Sequence, residues 1–168
     1  MLVRHATVGD ADAVALAQVR AWQKAYAGII SDGYLAALDP VARAQWRRSI
    51  LTEPERVTAT FVAVDGDAVV GYTDVGPCQE GQEAGEIYAI YVHPDHWRRG
   101  AGGVLMRAAL DHLTADGPRP VRLWVIEANQ PARRFYERHG FVTDGTVRVE
   151  EFASTPVAEV RYTRPAGA

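Results

Sequence analysis

The chain has 168 residues, 48% hydrophobic and 23% charged, long enough to bury a core without disulfides or a metal. Its formal net charge is −3 and its arginines come in scattered pairs (Arg47-Arg48, Arg98-Arg99, Arg133-Arg134), which argues against a nucleic-acid partner. Cys78 is the single cysteine, the N-terminus has no apolar signal-like run, and no stretch approaches the ~20 apolar residues of a membrane span, so a soluble cytoplasmic protein without a membrane partner is expected.

Leu2 to Ala6 reads as a first strand. Asp10 or Asp12 is placed to cap the helix that follows, with Val14, Leu16, Ala17, Ala21 and Ala25 as its apolar positions and Gly28 as its stop. Ser31-Asp32 opens a short helical turn towards Leu38. Asp39-Pro40 gives an N-cap followed by proline at the first helical position, starting a helix that runs towards Leu51. Residues 58–64 and 68–75 are rich in β-branched side chains, and Asp65-Gly66 between them signals a hairpin with a type I′ turn. Glu86 to Val92 is the next strand, ended by His93-Pro94. A helix from Gly100 to about Asp116 carries Leu105, Met106, Ala109 and Leu113 on one face, and Gly117-Pro118 breaks it. Val121 to Ile126 is a strand. Asn129 then caps a helix with Pro131 in its first turn, ending at His139-Gly140, and residues 142–152 and 157–163 close the chain as a pair of strands. This order predicts a single α/β (α+β) domain: one mixed sheet, antiparallel at both ends, flanked by helices, with a right-handed parallel crossover at its centre.

The most informative segment is His96-Trp97-Arg98-Arg99-Gly100-Ala101-Gly102-Gly103, between a strand and a helix. A helix N-terminus has backbone N–H groups without intrahelical partners and a partial positive charge. Glycines let an anion reach those groups, and Arg98 and Arg99 add charge, so the turn reads as a phosphate site. The Walker lysine is missing, and Leu105 stands where a Rossmann fingerprint needs its third glycine. A pyrophosphate held by backbone amides remains, beside a bland alternative in which the glycines only allow close packing.

A second segment, Asn129 to Phe141, decides between them. Together with the turn it resembles the GNAT superfamily of N-acetyltransferases, which pairs a [QR]-x-x-G-x-[GA] turn with a downstream N-x-x-A-x-x-x-Y-x-x-x-G-F segment. Gly100 and Gly102 fit the turn; Asn129, Ala132, Tyr136, Gly140 and Phe141 fit the second segment, and Ile90 to Pro94 resembles the strand leading into the turn. One position departs, since Trp97 stands where the pattern has Gln or Arg. The resemblance implies acetyl-coenzyme A as co-substrate. Its pantetheine arm would pair with the backbone of Ile90, Tyr91 and Val92 where the sheet is splayed. The amides of Arg98, Arg99, Gly100, Ala101, Gly102 and Gly103 would hold the pyrophosphate, and Asn129 would bind the arm.

Transfer to an amine needs a proton donor to the departing sulfur, and the resemblance gives that role to Tyr136, whose ordinary pKa near 10 keeps it protonated at neutral pH. Glu86 is the candidate base, directly or through water; Tyr88 could hold that water or face the acceptor, and Glu150 and Glu151 are weaker candidates. Cys78 lacks a neighbouring activator, and His93 and His96 lack further ligands, so neither a covalent acetyl-enzyme nor a metal site is expected. Trp22, Tyr26, Tyr34 and Trp46 are expected in the core or along the acceptor pocket, with Trp22 and Tyr26 the pair to follow.

The expected function is acetyl transfer to a primary amine, of a small molecule, by direct attack in a ternary complex. A protein N-terminal or lysine acetyltransferase is the alternative within the class. A non-catalytic acyl-coenzyme A-binding sensor module is the alternative outside it; Trp97 leaves room for that reading and Tyr136 argues against it. A homodimer would form through the closing strands.

Overall fold

The computed structural model describes residues 1–81 and 83–167. Its elements are β1 (Leu2–His5), α1 (Ala11–Ala25), α2 (Asp32–Ala36), α3 (Pro40–Thr52), β2 (Ala59–Asp65), β3 (Ala68–Pro77), β4 (Gly85–Val92), α4 (Ala101–Leu113), β5 (Val121–Ile126), α5 (Gln130–Arg138), β6 (Val142–Phe152) and β7 (Thr155–Arg164). The strands form one sheet in the order β1-β2-β3-β4-β5-β7-β6. Every neighbouring pair is antiparallel except β4 and β5, which are parallel and joined through α4.

Strand alternation divides the core. Phe61 and Ala63 of β2 face α4, packing with Leu105, Met106 and Ala109, and this cluster runs on through Leu123 and Val125 of β5 to Tyr136 and Phe141. Val62, between them, faces the other way and packs with Val14 of α1 and Tyr72 of β3. Thus α4 and α5 cover one face and α1 the other. The caps follow the sequence: Ser31 accepts from the Tyr34 amide, Asp39 from the Val41 amide at 2.8 Å, and Asn129 from the Ala132 amide at 3.3 Å.

Four local expectations are corrected. Leu16 is 40% exposed, because it lies about 200° around the helix from the buried Val14. Asp10 holds the N-cap position of α1, but its carboxylate is taken by Arg4 at 2.7 and 2.8 Å rather than by the helix. The β2–β3 turn has positive φ at Gly66 and not at Asp67, the pattern of type II′; the pair with both central residues positive is Ala153-Ser154, between β6 and β7. Helix α4 ends at Leu113, where the Thr114 hydroxyl donates to the Leu110 carbonyl at 2.8 Å.

What positions the site is a flaw in the sheet. β4 and β5 pair only at Gly85–Val121 and Glu86–Arg122 and then separate. On its other edge β4 carries a bulge: Asp74 of β3 opposes Ala89 and Val75 opposes Ile87, which leaves Tyr88 as the extra residue. A bulge bends its strand and increases the local twist, here turning the end of β4 away from β5. No helix among the described residues is long and apolar enough to cross a membrane.

Candidate active site

The separation of β4 from β5 opens a cleft of about 910 Å³, lined by β4 from Glu86 to Val92, by Trp124 to Ile126 of β5, by the start of α4 and by one side of α5. At one end lies the glycine-rich turn. Arg98 and Gly100 both have left-handed backbone (φ 61° and 91°), which folds the chain back so that α4 points its first turn at the cleft. The first N–H that returns to a carbonyl is that of Val104, to Gly100 at 3.1 Å, so the amides of Ala101, Gly102 and Gly103 have no carbonyl four residues back within the helix. A Cβ on Gly102 would stand 3.3 Å from two carbons of the Phe135 ring, so this glycine lets α5 pack against the start of α4. Arg98, Gly100, Gly102 and Gly103 line the cleft; Arg99 is exposed beside it and the Ala101 side chain is buried in the core. Trp97 fastens the turn to the strand, its indole N–H donating to the Val92 carbonyl at 2.7 Å.

Tyr136 of α5 lines the cleft. Its ring is buried, and its hydroxyl opens on the cleft and makes no hydrogen bond with the described residues. Burial, with a smaller contribution from the neighbouring Tyr91, pushes this phenol well above its ordinary pKa. Asn129, itself buried, spends its carbonyl oxygen on capping α5, and its amide NH2 remains for whatever enters the cleft. At the other end Glu86 is 7% exposed, and its Oε2 accepts the Gln79 N–H at 3.0 Å, which fixes the carboxylate at the cleft wall. The Tyr88 hydroxyl donates to the Pro77 carbonyl and keeps its lone pairs to accept from a water; burial, then Glu86 and Cys78, push its pKa up to about 12.

The wall opposite α5 is aromatic and charged. The Tyr26 and Tyr91 hydroxyls meet at 3.4 Å, and Trp22 packs edge-on against Tyr26 at 5.1 Å. The Arg148 guanidinium lies 4.3 Å from the Trp124 ring and bonds Glu159 at 2.8 Å. Glu150 and Glu151 are exposed and do not line the cleft; the acidic residue that the closing strands supply to it is Glu159. His93 and His96 sit nearest to aspartates, Asp95 at 3.7 Å and Asp65 at 3.8 Å, and among the described residues no group of three His, Cys, Asp or Glu is placed to hold a metal.

Comparison with known proteins gives the family. The model of the Acetyltransferase (GNAT) family matches residues 17–141. The chain belongs to the GNAT acetyltransferase family. Among its relatives, the uncharacterized N-acetyltransferase YuaI of Bacillus subtilis (strain 168) is 33% identical over 141 residues, covering 82% of this chain and 78% of that protein. The mycothiol acetyltransferase of Geodermatophilus obscurus is 44% identical over 85 residues, but these are 48% of this chain and only 28% of that protein. The PaiA N-acetyltransferase from Thermoplasma acidophilum, solved in complex with coenzyme A, shares the fold with a TM-score of 0.73 at 16% identity, covering 98% of each chain.

Within this GNAT fold the sequence motifs found one side of the cleft and missed the other. Arg134 and Arg138, four residues apart on α5, line the cleft as Arg98 does; their i, i+4 spacing puts them on one face of the helix. Gln79, Trp124, Arg148 and Glu159 gave no such signal. Arg148 faces Glu159 only because β6 carries extra residues between Thr143 and Val147, a register no local pattern encodes.

Proposed function

We propose that this GNAT acetyltransferase moves the acetyl group of acetyl-coenzyme A to a primary amine of a small molecule, by direct attack in a ternary complex. The observation that carries the proposal is Tyr136: a buried phenol without a protein partner, in a cleft with a helix N-terminus at one end and a fixed carboxylate at the other. The unpaired amides of α4, with Arg98, Arg134 and Arg138 around them, suit a pyrophosphate. The free edge of β4 suits the amide-bearing arm at Ile90 and Tyr91, the Val92 carbonyl being already taken by Trp97, and the Asn129 NH2 suits a carbonyl of the same arm.

In this reaction the amine nitrogen attacks the thioester carbonyl and the carbon–sulfur bond breaks. Glu86 takes the proton that the amine must lose, directly or through water, and Tyr136 gives its proton to the departing sulfur. The raised pKa keeps Tyr136 in its donor form throughout the neutral range, so its proton is available as the carbon–sulfur bond breaks and negative charge develops on sulfur. The products are an amide and the free thiol.

A small acceptor is favoured over a peptide by Glu80, which follows β3 and is tied to Arg161 of β7 at 2.7 Å, while Arg161 also holds Asp144 at 2.8 Å. A homodimer through β6 is supported by its edge position and by the exposed Val147 and Val149. The test is an amine panel that follows thiol release from acetyl-coenzyme A, with longer acyl thioesters as counterscreen. Amine-dependent release with one acetamide formed per thiol is the expected result. Slow release that no amine accelerates would instead favour the sensor reading.

A further inference from the structure

A second cavity, of about 820 Å³, lies beside the cleft and shares two lining residues with it, Gln79 and Tyr88. Trp46 and Ile50 of α3, with Val57 and Pro77, give it apolar walls. Trp46 is 48% exposed and Val57 76%, an unusual outlay of apolar surface for two residues on one rim. Its charged members cancel: Arg47 is paired with Asp74 at 2.5 Å and donates to the Tyr72 hydroxyl at 2.6 Å, and Thr60 donates to the other Asp74 oxygen at 2.6 Å. The same guanidinium lies 5.0 Å from the Trp46 ring and holds the indole at the rim. The chamber therefore offers apolar contact and no net charge to a ligand.

Tyr88 is the partition between the two spaces. A Cβ on Gly76 would stand 3.0 Å from the ring and hydroxyl of Tyr88 and 3.2 Å from the Thr58 methyl, so glycine there is what lets the tyrosine lie across β3. The hydroxyl is then tied to the Pro77 carbonyl, and Tyr88 is the bulge residue of β4, next to the carboxylate of Glu86. A ligand seated in the chamber has Gln79 and Tyr88 as the threshold to Glu86.

We infer that this side chamber receives the apolar substituent, alkyl or aryl, of the acceptor amine, with the amino group crossing the threshold to Glu86. The inference rests on the acetyl-transfer reading for its chemistry and is separable from it by binding. Cys78, the chain's single cysteine, lines the chamber at 6% exposure, so its modification by a small water-soluble disulfide reports occupancy without turnover. In the wild-type protein 2-phenylethylamine should slow that modification at least fivefold, and ethanolamine should leave it unchanged. Ile50→Trp, which narrows the chamber, and Trp46→Ala, which removes a half-exposed wall, should each cut the protection to below twofold. Each should also raise KM for 2-phenylethylamine roughly tenfold, in the range that apolar contacts discriminate, with KM for ethanolamine and for acetyl-coenzyme A unchanged. Protection by neither amine, or by both alike, overturns the inference, as does an equal rise in KM for both. Protection by 2-phenylethylamine with no acetylation of any amine overturns the acetyl-transfer reading and leaves the chamber as an apolar-amine site.

Discussion

Replacing Tyr136 with Phe removes one oxygen and leaves the ring in its place between Phe135 and Phe141. The lost hydroxyl opens on the cleft and makes no hydrogen bond with the described residues, so no protein bond is broken. Removing such a group leaves stability within about 0.5 kcal/mol. The same oxygen, acting as proton donor to sulfur, contributes on the order of 10²–10⁴-fold to the rate, or about 3–5 kcal/mol of barrier. The two effects therefore differ by several kcal/mol. Initial rates of thiol release, coenzyme A affinity by calorimetry and thermal unfolding should be measured on one preparation. The expected outcome is kcat down at least a hundredfold, coenzyme A affinity within twofold, and Tm little changed. The pH profile adds a check: the phenol's pKa is raised by burial, so wild-type kcat should show no basic limb from this residue through the neutral range up to its ordinary value near 10. A rate within threefold of wild type, or a Tm drop of more than ~4 °C (roughly 1 kcal/mol at this size), would refute the reasoning.

Asp10 should give the protein an acid-sensitive contribution. The Arg4 hydrogen bond, with help from the Thr7 amide and hydroxyl against burial, lowers its pKa from 3.8 to about 2. A depressed folded-state pKa stabilises above the unfolded value, and the contribution is lost as pH falls from about 4 to about 2. Because Arg4 is 39% exposed, the contribution is about 1–2 kcal/mol; Asp10→Asn should remove it at pH 7 and flatten the denaturation profile across that window. Gly102→Val should push against the Phe135 ring and crowd the α4 amides, raising KM for acetyl-coenzyme A roughly tenfold or more with kcat at saturation little changed, as read from steady-state kinetics. Ala153→Asn combined with Ser154→Gly should relieve two non-glycine residues at φ 47° and 65°, raising stability by about 1 kcal/mol in urea denaturation.

What the sequence reveals well here is local. Asn129 and Pro131 cap and start α5, so the helix phase that brings Asn129, Ala132 and Tyr136 to one side is set within nine residues of chain. The turn before α4 works the same way: its glycines and its helix start lie in one short window and can be read before any packing is known. Errors appear where a competing partner or the helix phase decides. Asp10 holds the N-cap position but gives its carboxylate to Arg4, six residues back, and Leu16 falls on the outer side of α1. Tyr88 is tied across a glycine of the adjoining strand, which its own segment does not reveal.

By itself, then, the sequence determined the order of elements, the caps, the turn and the residues of one motif helix, because each depends on backbone preferences and hydrogen bonds within a few residues. Only the tertiary structure decided that β4 and β5 part after two paired residues, that Arg148 and Glu159 meet over Trp124, and that a chamber opens behind Tyr88. Those features come from strand register, a bulge and contacts such as Glu80 to Arg161, 81 residues apart, which form only when the whole sheet is assembled.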